Sequence, residues 1–223
     1  MKIFKIVTLS FLTILFLGSG CKNMNRTQKG AVIGTGGGAA IGAVIGRASG
    51  NTALGTLIGA TVGGATGAVI GNQMDKQAEE IRNEVPGARV YRVGEGIIVE
   101  FSDKILFGFD QSELNPTSKG NLNKLKDVLV KYPDTNIEIQ GHTDNTGSNK
   151  YNMSLSKRRA SAVSSYIGSS GVSSNRISTK GYGESAPNYS NDNEDGRSQN
   201  RRVEFLITAN QKMLDEAKKN TSK

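Results

Sequence analysis

Between Ile137 and Ser169 the hydrophobic period of the chain changes from two to that of a helix, and this one switch constrains the fold more than any other feature. Ile137-Glu138-Ile139-Gln140 alternate apolar and polar residues, the pattern of a half-buried strand. From about Asn149 to Ser169, Leu155, Arg159, Ala162, Val163, Tyr166 and Ile167 fall on one face of a helix. A strand that runs through a short loop into a long amphipathic helix has two apolar faces to bury against each other. It therefore predicts a layered α/β arrangement.

Arg158 and Arg159 are adjacent but cannot share a role. Arg158 falls on the polar stripe with Ser154, Ser161 and Ser165, whereas Arg159 lies inside the apolar stripe, where an unpaired charge costs several kcal/mol. Arg159 therefore needs an acidic partner, and Asp144, in the loop that enters the helix, is the nearest candidate. Ser148 is the expected N-cap. Periodicity alone leaves two readings open, a structural Asp144–Arg159 ion pair and a ligand site.

The remaining elements follow from the same reading. Arg89–Val93 and Ile97–Phe101, separated by Gly94-Glu95-Gly96, predict a β-hairpin, and Ile105–Phe109 could extend the strand. Leu122, Leu125, Val128, Leu129 and Tyr132 mark one face of a helix from Pro116 to Tyr132. Arg176–Lys180 and Arg202–Thr208 read as strands, and residues 184–200 as a long loop without apolar pattern. The predicted fold over residues 96–208 is a two-layer α/β sandwich with a βαβαβ-β mixed sheet. Residues 73–95 read as a spacer, with a short helix possible over Asp75–Val85 ended by Pro86-Gly87, and the first hairpin strand; residues 209–223 read as a flexible tail.

The N-terminal part is of another kind. Residues 1–20 have Lys2 and Lys5, an uncharged run from Ile6 to Leu17 and then small residues, which is a secretory signal too short to span a bilayer. Cys21, the single cysteine, follows directly and resembles the acylated position of a bacterial lipobox; the alternative is a plain signal ending near a cysteine. Residues 21–29 would then be a lipidated tether. Over residues 30–72, glycines recur every fourth position from Gly30 to Gly50 and again from Gly55 to Gly71. Such spacing lets helix backbones approach closely and predicts a glycine-zipper helical hairpin that inserts in a membrane or self-associates. A soluble packed hairpin and a flexible linker are the alternatives.

Charge excludes several function classes. The formal net charge is +8, yet residues 97–208 carry 14 basic against 13 acidic residues, without the basic cluster that a nucleic-acid reader concentrates on one element. The run Gly34-Thr35-Gly36-Gly37-Gly38-Ala39 mimics a dinucleotide loop, but its glycines continue with period four and no acid follows before Asp75 to hold a ribose. His142, the single histidine, reads as a satisfied structural residue. One histidine and one lipidated cysteine cannot build a metal site of the usual ligand types, and no serine stands in a nucleophile elbow. The chain reads as a non-enzyme with no cofactor apart from a covalent lipid on Cys21.

Several separated motifs then carry a resemblance. Thr143 to Ala160 (TD-x-x-G-x-x-x-YN-x-x-LS-x-RRA), Gly181–Ser185 (GYGES) and Asn200–Phe205 (NRRVEF) resemble the C-terminal domain of outer membrane protein A. The same domain type occurs in the peptidoglycan-associated lipoprotein and the flagellar stator protein. The resemblance covers roughly residues 96–208. It implies that Asp144 takes the ammonium and Arg159 the carboxylate of diaminopimelate in the peptidoglycan stem peptide. It also implies that Asp110, Thr143 and Asn152 line the pocket and that Phe109 and Leu155 pack its wall. The implied protein is an outer-membrane lipoprotein facing the periplasm that ties membrane to wall. A stator role is disfavoured because neither long uncharged stretch holds an ionisable aspartate. The competing expectation is a membrane-inserting or pore-forming zipper protein with the wall domain as a tether.

Overall fold

The computed structural model describes residues 65–108 and 110–221. The signal, Cys21 and its tether, the glycine hairpin up to residue 64, and Phe109 lie outside the described residues. The elements are α1 (Ala65–Glu84), β1 (Arg89–Val93), β2 (Gly96–Ser102), α2 (Asp103–Leu106), α3 (Pro116–Lys131), β3 (Thr135–His142), α4 (Asn149–Ser169), β4 (Ile177–Gly183), α5 (Glu194–Asn200), β5 (Arg202–Ala209) and α6 (Gln211–Thr221). The strands form one mixed sheet in the order β1-β2-β5-β3-β4. β3 and β4 are parallel and joined through α4, while β5 enters between β2 and β3 antiparallel to both. The mixed-sheet α/β sandwich expected from the periodicity is the observed architecture.

Helix boundaries follow local chemistry. The side chain of Asn115 accepts from the Ser118 N–H and Pro116 occupies the first turn of α3; Ser148 caps α4 by accepting from the Tyr151 N–H at 3.3 Å. Alternation then sorts the strand side chains. Ile97, Val99, Phe101, Ile137, Ile139, Val203, Phe205 and Ile207 meet Leu122, Leu125, Leu129, Val163 and Ile167 of α3 and α4 in one continuous core.

Four expectations need correction. The short helix expected over Asp75–Val85 is present but longer, and it is neither a spacer nor separate from the glycine-rich region: α1 runs unbroken from Ala65 to Glu84. Its Ile70, Met74, Ala78 and Ile81, spaced four, four and three, are fully buried in the core of the sheet domain. Each such isoleucine or methionine contributes roughly 1.5–3 kcal/mol of burial, so α1 belongs to the folded unit. Residues 211–221 are not a frayed tail but helix α6, which buries Met213 and Ala217 in the same core. Over its described residues, Ile105–Gly108, the expected strand extension does not form, since α2 turns the chain there and Phe107 makes only an isolated bridge to Leu114. The 184–200 stretch is not wholly a loop, because it contains α5.

The reason that 184–200 lacks an apolar pattern lies on the second face of the sheet. There Glu100, Gln140, His142, Arg202 and Glu204 are buried beside a small apolar cluster of Ile98 and Leu206, and the 184–200 segment bonds to Arg202 and Glu204. Arg202 donates from Nε to Glu204, from Nη1 to the Asn200 carbonyl and from Nη2 to the Ala186 carbonyl, so all three of its nitrogens are engaged. Asn200 accepts from the N–H groups of Asn188 and Tyr189 and donates to the Tyr189 carbonyl. A buried ion pair is tolerated when its hydrogen-bond capacity is filled in this way. His142 takes the structural place expected: it is fully buried and stacked on Tyr182 at 5.1 Å with its Nε2 4.0 Å from Glu204 Oε2, although neither ring nitrogen makes a hydrogen bond of ordinary geometry among the described residues.

α4 lies unusually close to β3 and β4. A Cβ on Gly141 would stand 2.1 Å from the Ser156 carbonyl oxygen, and one on Gly183, whose φ is +55°, would stand 2.9 Å from the Met153 nitrogen. Ser156 Oγ accepts from the Gly183 N–H at 2.9 Å across the same contact. This near approach aligns the start of α4 with the ends of both parallel strands.

Gly141→Ala should therefore lower folding stability by about 2–3 kcal/mol or more in urea melts, because backbone rather than a flexible side chain must give way. His142 gives a pH-dependent expectation. Burial, and next the Arg202 guanidinium, push its imidazole down to about 3 from an ordinary 6.5. The unfolded chain then binds a proton that the folded chain refuses, so this group's contribution is intact above the unfolded value and is lost as pH falls through the folded one. The limiting slope is about 1.4 kcal/mol per pH unit. Melts between about pH 7.5 and about pH 4.5 should show a smaller acid loss for His142→Gln than for wild type; equal slopes would mean that His142 is not held neutral.

Candidate functional site

The C-terminal ends of β2, β3 and β4 and the first residue of β5 meet at one end of the sheet, as the pairings Ser102 with Arg202 and Gly141 with Val203 require. Strand ends feeding loops are where open α/β sheets place ligands. Here they surround a cavity of about 410 Å³. Asp110, Thr143, Asp144, Asn152, Leu155 and Arg159, all expected from the sequence, line it. So do Asp103, Glu194 and Arg201, to which the sequence reading assigned no role.

The direct Asp144–Arg159 pair does not form. Asp144 is buried, and its Oδ2 accepts from Arg201 Nη1 at 2.5 Å while Oδ1 accepts from the Thr146 N–H at 2.9 Å. Arg159, 2% exposed, instead donates from Nε to the Gln111 carbonyl at 3.0 Å and sets Nη2 3.4 Å from Asp103 Oδ2. Its guanidinium carbon also lies 5.1 Å from the centre of the Phe107 ring, within cation–π range. Asp103 serves both arginines, because Arg201 Nε stands 3.7 Å from the same Oδ2. The requirement that a buried Arg159 have an acid was right; the acid is Asp103, delivered by the turn after β2.

The loop that carries Asp144 is held from several sides. Thr143 donates its N–H to the Gly183 carbonyl at 2.9 Å, and its Oγ1 donates to the Asp144 carbonyl at 2.9 Å. Asn152 Nδ2 lies within reach of the Asp144 carbonyl, the Thr146 carbonyl and, at 2.6 Å, Glu184 Oε2. Asn152 thus fixes the loop as well as lining the cavity. Asp110 adopts φ +56°, uncommon for a residue with a side chain, and accepts from the Tyr151 hydroxyl at 2.7 Å.

Burial sets the electrostatics. It pushes the Asp103 carboxyl above its ordinary range, against the pull of Arg159 and Arg201. Burial likewise lowers Arg159, opposed by Asp103 and Asp110. Arg201 is also disfavoured by burial, but its hydrogen bonds to Glu194 and Asp144 leave it above its usual value. The cavity therefore holds two guanidinium groups and several carboxylates within one small volume. That arrangement is suited to a small ligand bearing both an ammonium and a carboxylate. Among the described residues no group of three or more His, Cys, Asp or Glu is placed to hold a metal.

Arg201 was legible in principle. The NRRVEF motif sets two adjacent arginines at the start of an expected strand, and two neighbours there do not share a direction any more than Arg158 and Arg159 do. Arg202 enters the buried polar layer and Arg201 the cavity. Asp103 carried no comparable signal, because nothing local marks α2 as a turn toward the site.

Fold and cavity together define a two-layer α/β domain with a charged pocket at the strand ends. Comparison with known proteins gives the family. A model of the OmpA family matches residues 106–201, and one of the YMGG-like Gly-zipper matches residues 1–75. The outer-membrane lipoprotein YfiB of Pseudomonas aeruginosa is 37% identical over 115 residues, which is 52% of this chain and 68% of that protein. The peptidoglycan-binding protein ArfA of Mycobacterium tuberculosis is 42% identical over 103 residues, 46% of this chain and 32% of that protein. A solved MotB-like protein of Desulfovibrio vulgaris superposes with a TM-score of 0.57 at 25% identity, covering 63% of this chain and 93% of that one. The chain spans 16% to 63% of the length of the first three curated relatives it matches. The chain belongs to the OmpA family.

The pairing in the cavity can be checked by double-mutant cycles in chemical denaturation. Asp144→Asn with Arg201→Ala should show a coupling of about 1 kcal/mol, reduced by the partial solvent access of Arg201, whereas Asp144→Asn with Arg159→Lys, joined only through Arg201 and Asp103, should show a smaller one.

Proposed function

We propose that the chain binds peptidoglycan non-covalently through this cavity, taking the diaminopimelate head group of the stem peptide, and so ties the outer membrane to the wall. The observation that carries the reading is the convergence of Asp144 and Arg159 on one open cavity, each already oriented by other residues. Asp144 is held by Arg201 and Thr146, and Arg159 by Asp103 and Gln111. A carboxylate has about four lone-pair sites and a guanidinium five N–H donors, so each can take a ligand group without giving up its protein partner. The ligand ammonium would meet Asp144 and its carboxylate the fork of Arg159. Asp110, Thr143 and Asn152 complete the lining, Leu155 packs one wall, and Phe109 is assigned to the wall by the family motif alone. The peptidoglycan-binding name of ArfA supports this ligand class.

At the other end, the signal-like residues 1–20 and Cys21 support a lipid anchor in the outer membrane with the domain in the periplasm, as the lipoprotein name of YfiB also suggests. The glycine zipper would hold that end at the membrane or against a second copy. No step of bond making is invoked: the function is attachment, and many copies on a polymeric wall would supply avidity.

The test is co-sedimentation of the full chain in detergent with insoluble peptidoglycan, alongside a no-wall control and thermal melts. Wild type should pellet with the wall, and folded Asp144→Asn and Arg159→Lys should lose about ten-fold or more in apparent affinity, the loss of one charge-assisted contact. Retention of both variants at the wild-type level would remove the cavity from the binding reaction.

A further inference from the structure

The edge of Arg201 that faces away from Asp144 has no role in the reading above. Nη1 is committed to Asp144 Oδ2 at 2.5 Å, whereas Nη2 donates to Glu194 Oε1 at 2.6 Å. The two acids differ in kind. The Asp144 side chain is 9% exposed and is fixed by the Thr146 N–H, while that of Glu194 is 62% exposed. Glu194 also receives Nε of Arg197, its neighbour one turn along, through its other oxygen at 3.1 Å. Both Arg201 and Glu194 line the cavity. A carboxylate belonging to the protein thus occupies the guanidinium edge that opens on the ligand space, through an ion pair of the exposed and weakly held type.

We infer that the Nη2 edge of Arg201 is a second carboxylate subsite, which Glu194 fills in the free protein and which a second carboxylate of the bound ligand takes over. This deepens the wall-binding reading and rests on it. Arg159 and Arg201 both stand against one oxygen of the buried Asp103 carboxylate, so the two guanidinium groups are held a short fixed distance apart. A ligand with one ammonium and two carboxylates then meets Asp144, Arg159 and Arg201 together. Glu194 is not lost on displacement, since Arg197 remains beside it in α5. The exchange swaps one exposed ion pair for one to the ligand and favours a diaminopimelate that keeps both of its carboxylates over one that keeps only the head-group carboxylate.

The test uses the full chain in detergent and two soluble probes: a stem tripeptide ending in diaminopimelate, and the same peptide with the C-terminal main-chain carboxyl of diaminopimelate amidated and its head-group carboxylate left free. Binding is measured by calorimetry for wild type, Glu194→Gln and Arg201→Lys. Removing the internal competitor should tighten Glu194→Gln for the free-acid peptide by about two- to five-fold, the range spanned by exposed ion pairs, with little change for the amide. Arg201→Lys should abolish most of the preference for the free acid. Equal or weaker binding of the free-acid peptide by Glu194→Gln overturns the subsite while wild-type binding leaves the wall reading standing. Absence of wild-type binding to either peptide and to the wall overturns both.

Discussion

Two guanidinium groups share one buried carboxylate, and the geometry of the cavity depends on that arrangement. Asp103 is pushed toward its neutral form by burial and is kept useful by Arg159 and Arg201, while burial disfavours the charge on Arg159 in turn. The buried Arg159 would be costly without the acid, and the acid would be costly without Arg159 and the half-buried Arg201 beside it. The three come from α2, α4 and the residue between α5 and β5. The network therefore exists only when the sheet has closed and β5 has entered between β2 and β3.

The second face of the sheet follows the same logic with a different outcome. Arg202, one residue beyond Arg201, is fully buried and filled by Glu204, Asn200 and Ala186, and it fastens a polar covering segment. That segment carries α5 and with it Glu194, so the polar layer behind the sheet decides which acid stands at the cavity mouth. The hydrophobic core on the opposite face is conventional by comparison. Its less expected members are α1 and α6, which join the end of the glycine-rich region and the last helix to the same folded unit.

Much of this was legible in the residues. The period switch after β3, the cap at Ser148, the α3 stripe and the hairpin of β1 and β2 all have local causes, and the structure places them within a residue or two. The need for an acid beside Arg159 also followed from a charge on an apolar face. The missed elements had signals that straddled compositional boundaries. The α1 stripe begins inside the glycine repeat at Ile70 and ends among charged residues at Ile81, and α6 shows only Met213 and Ala217 buried. A stripe cut in two, or reduced to two residues, does not stand out from a spacer or a tail.

By itself the sequence determined the α/β class, the main helices and strands, the family motifs and the six described residues expected in the cavity, because periodicity, capping and motif spacing are properties of neighbouring residues. Tertiary structure decided which charges meet. Asp144 lies 15 positions before Arg159 in the chain and 57 before Arg201, yet it is Arg201 that it binds. The physical reason is that β5 pairs antiparallel between β2 and β3, which brings Arg201 to the strand ends, while the α2 turn brings Asp103 beneath Arg159. Ion pairs form between groups that packing brings within a few ångströms, and separation along the chain does not measure that distance.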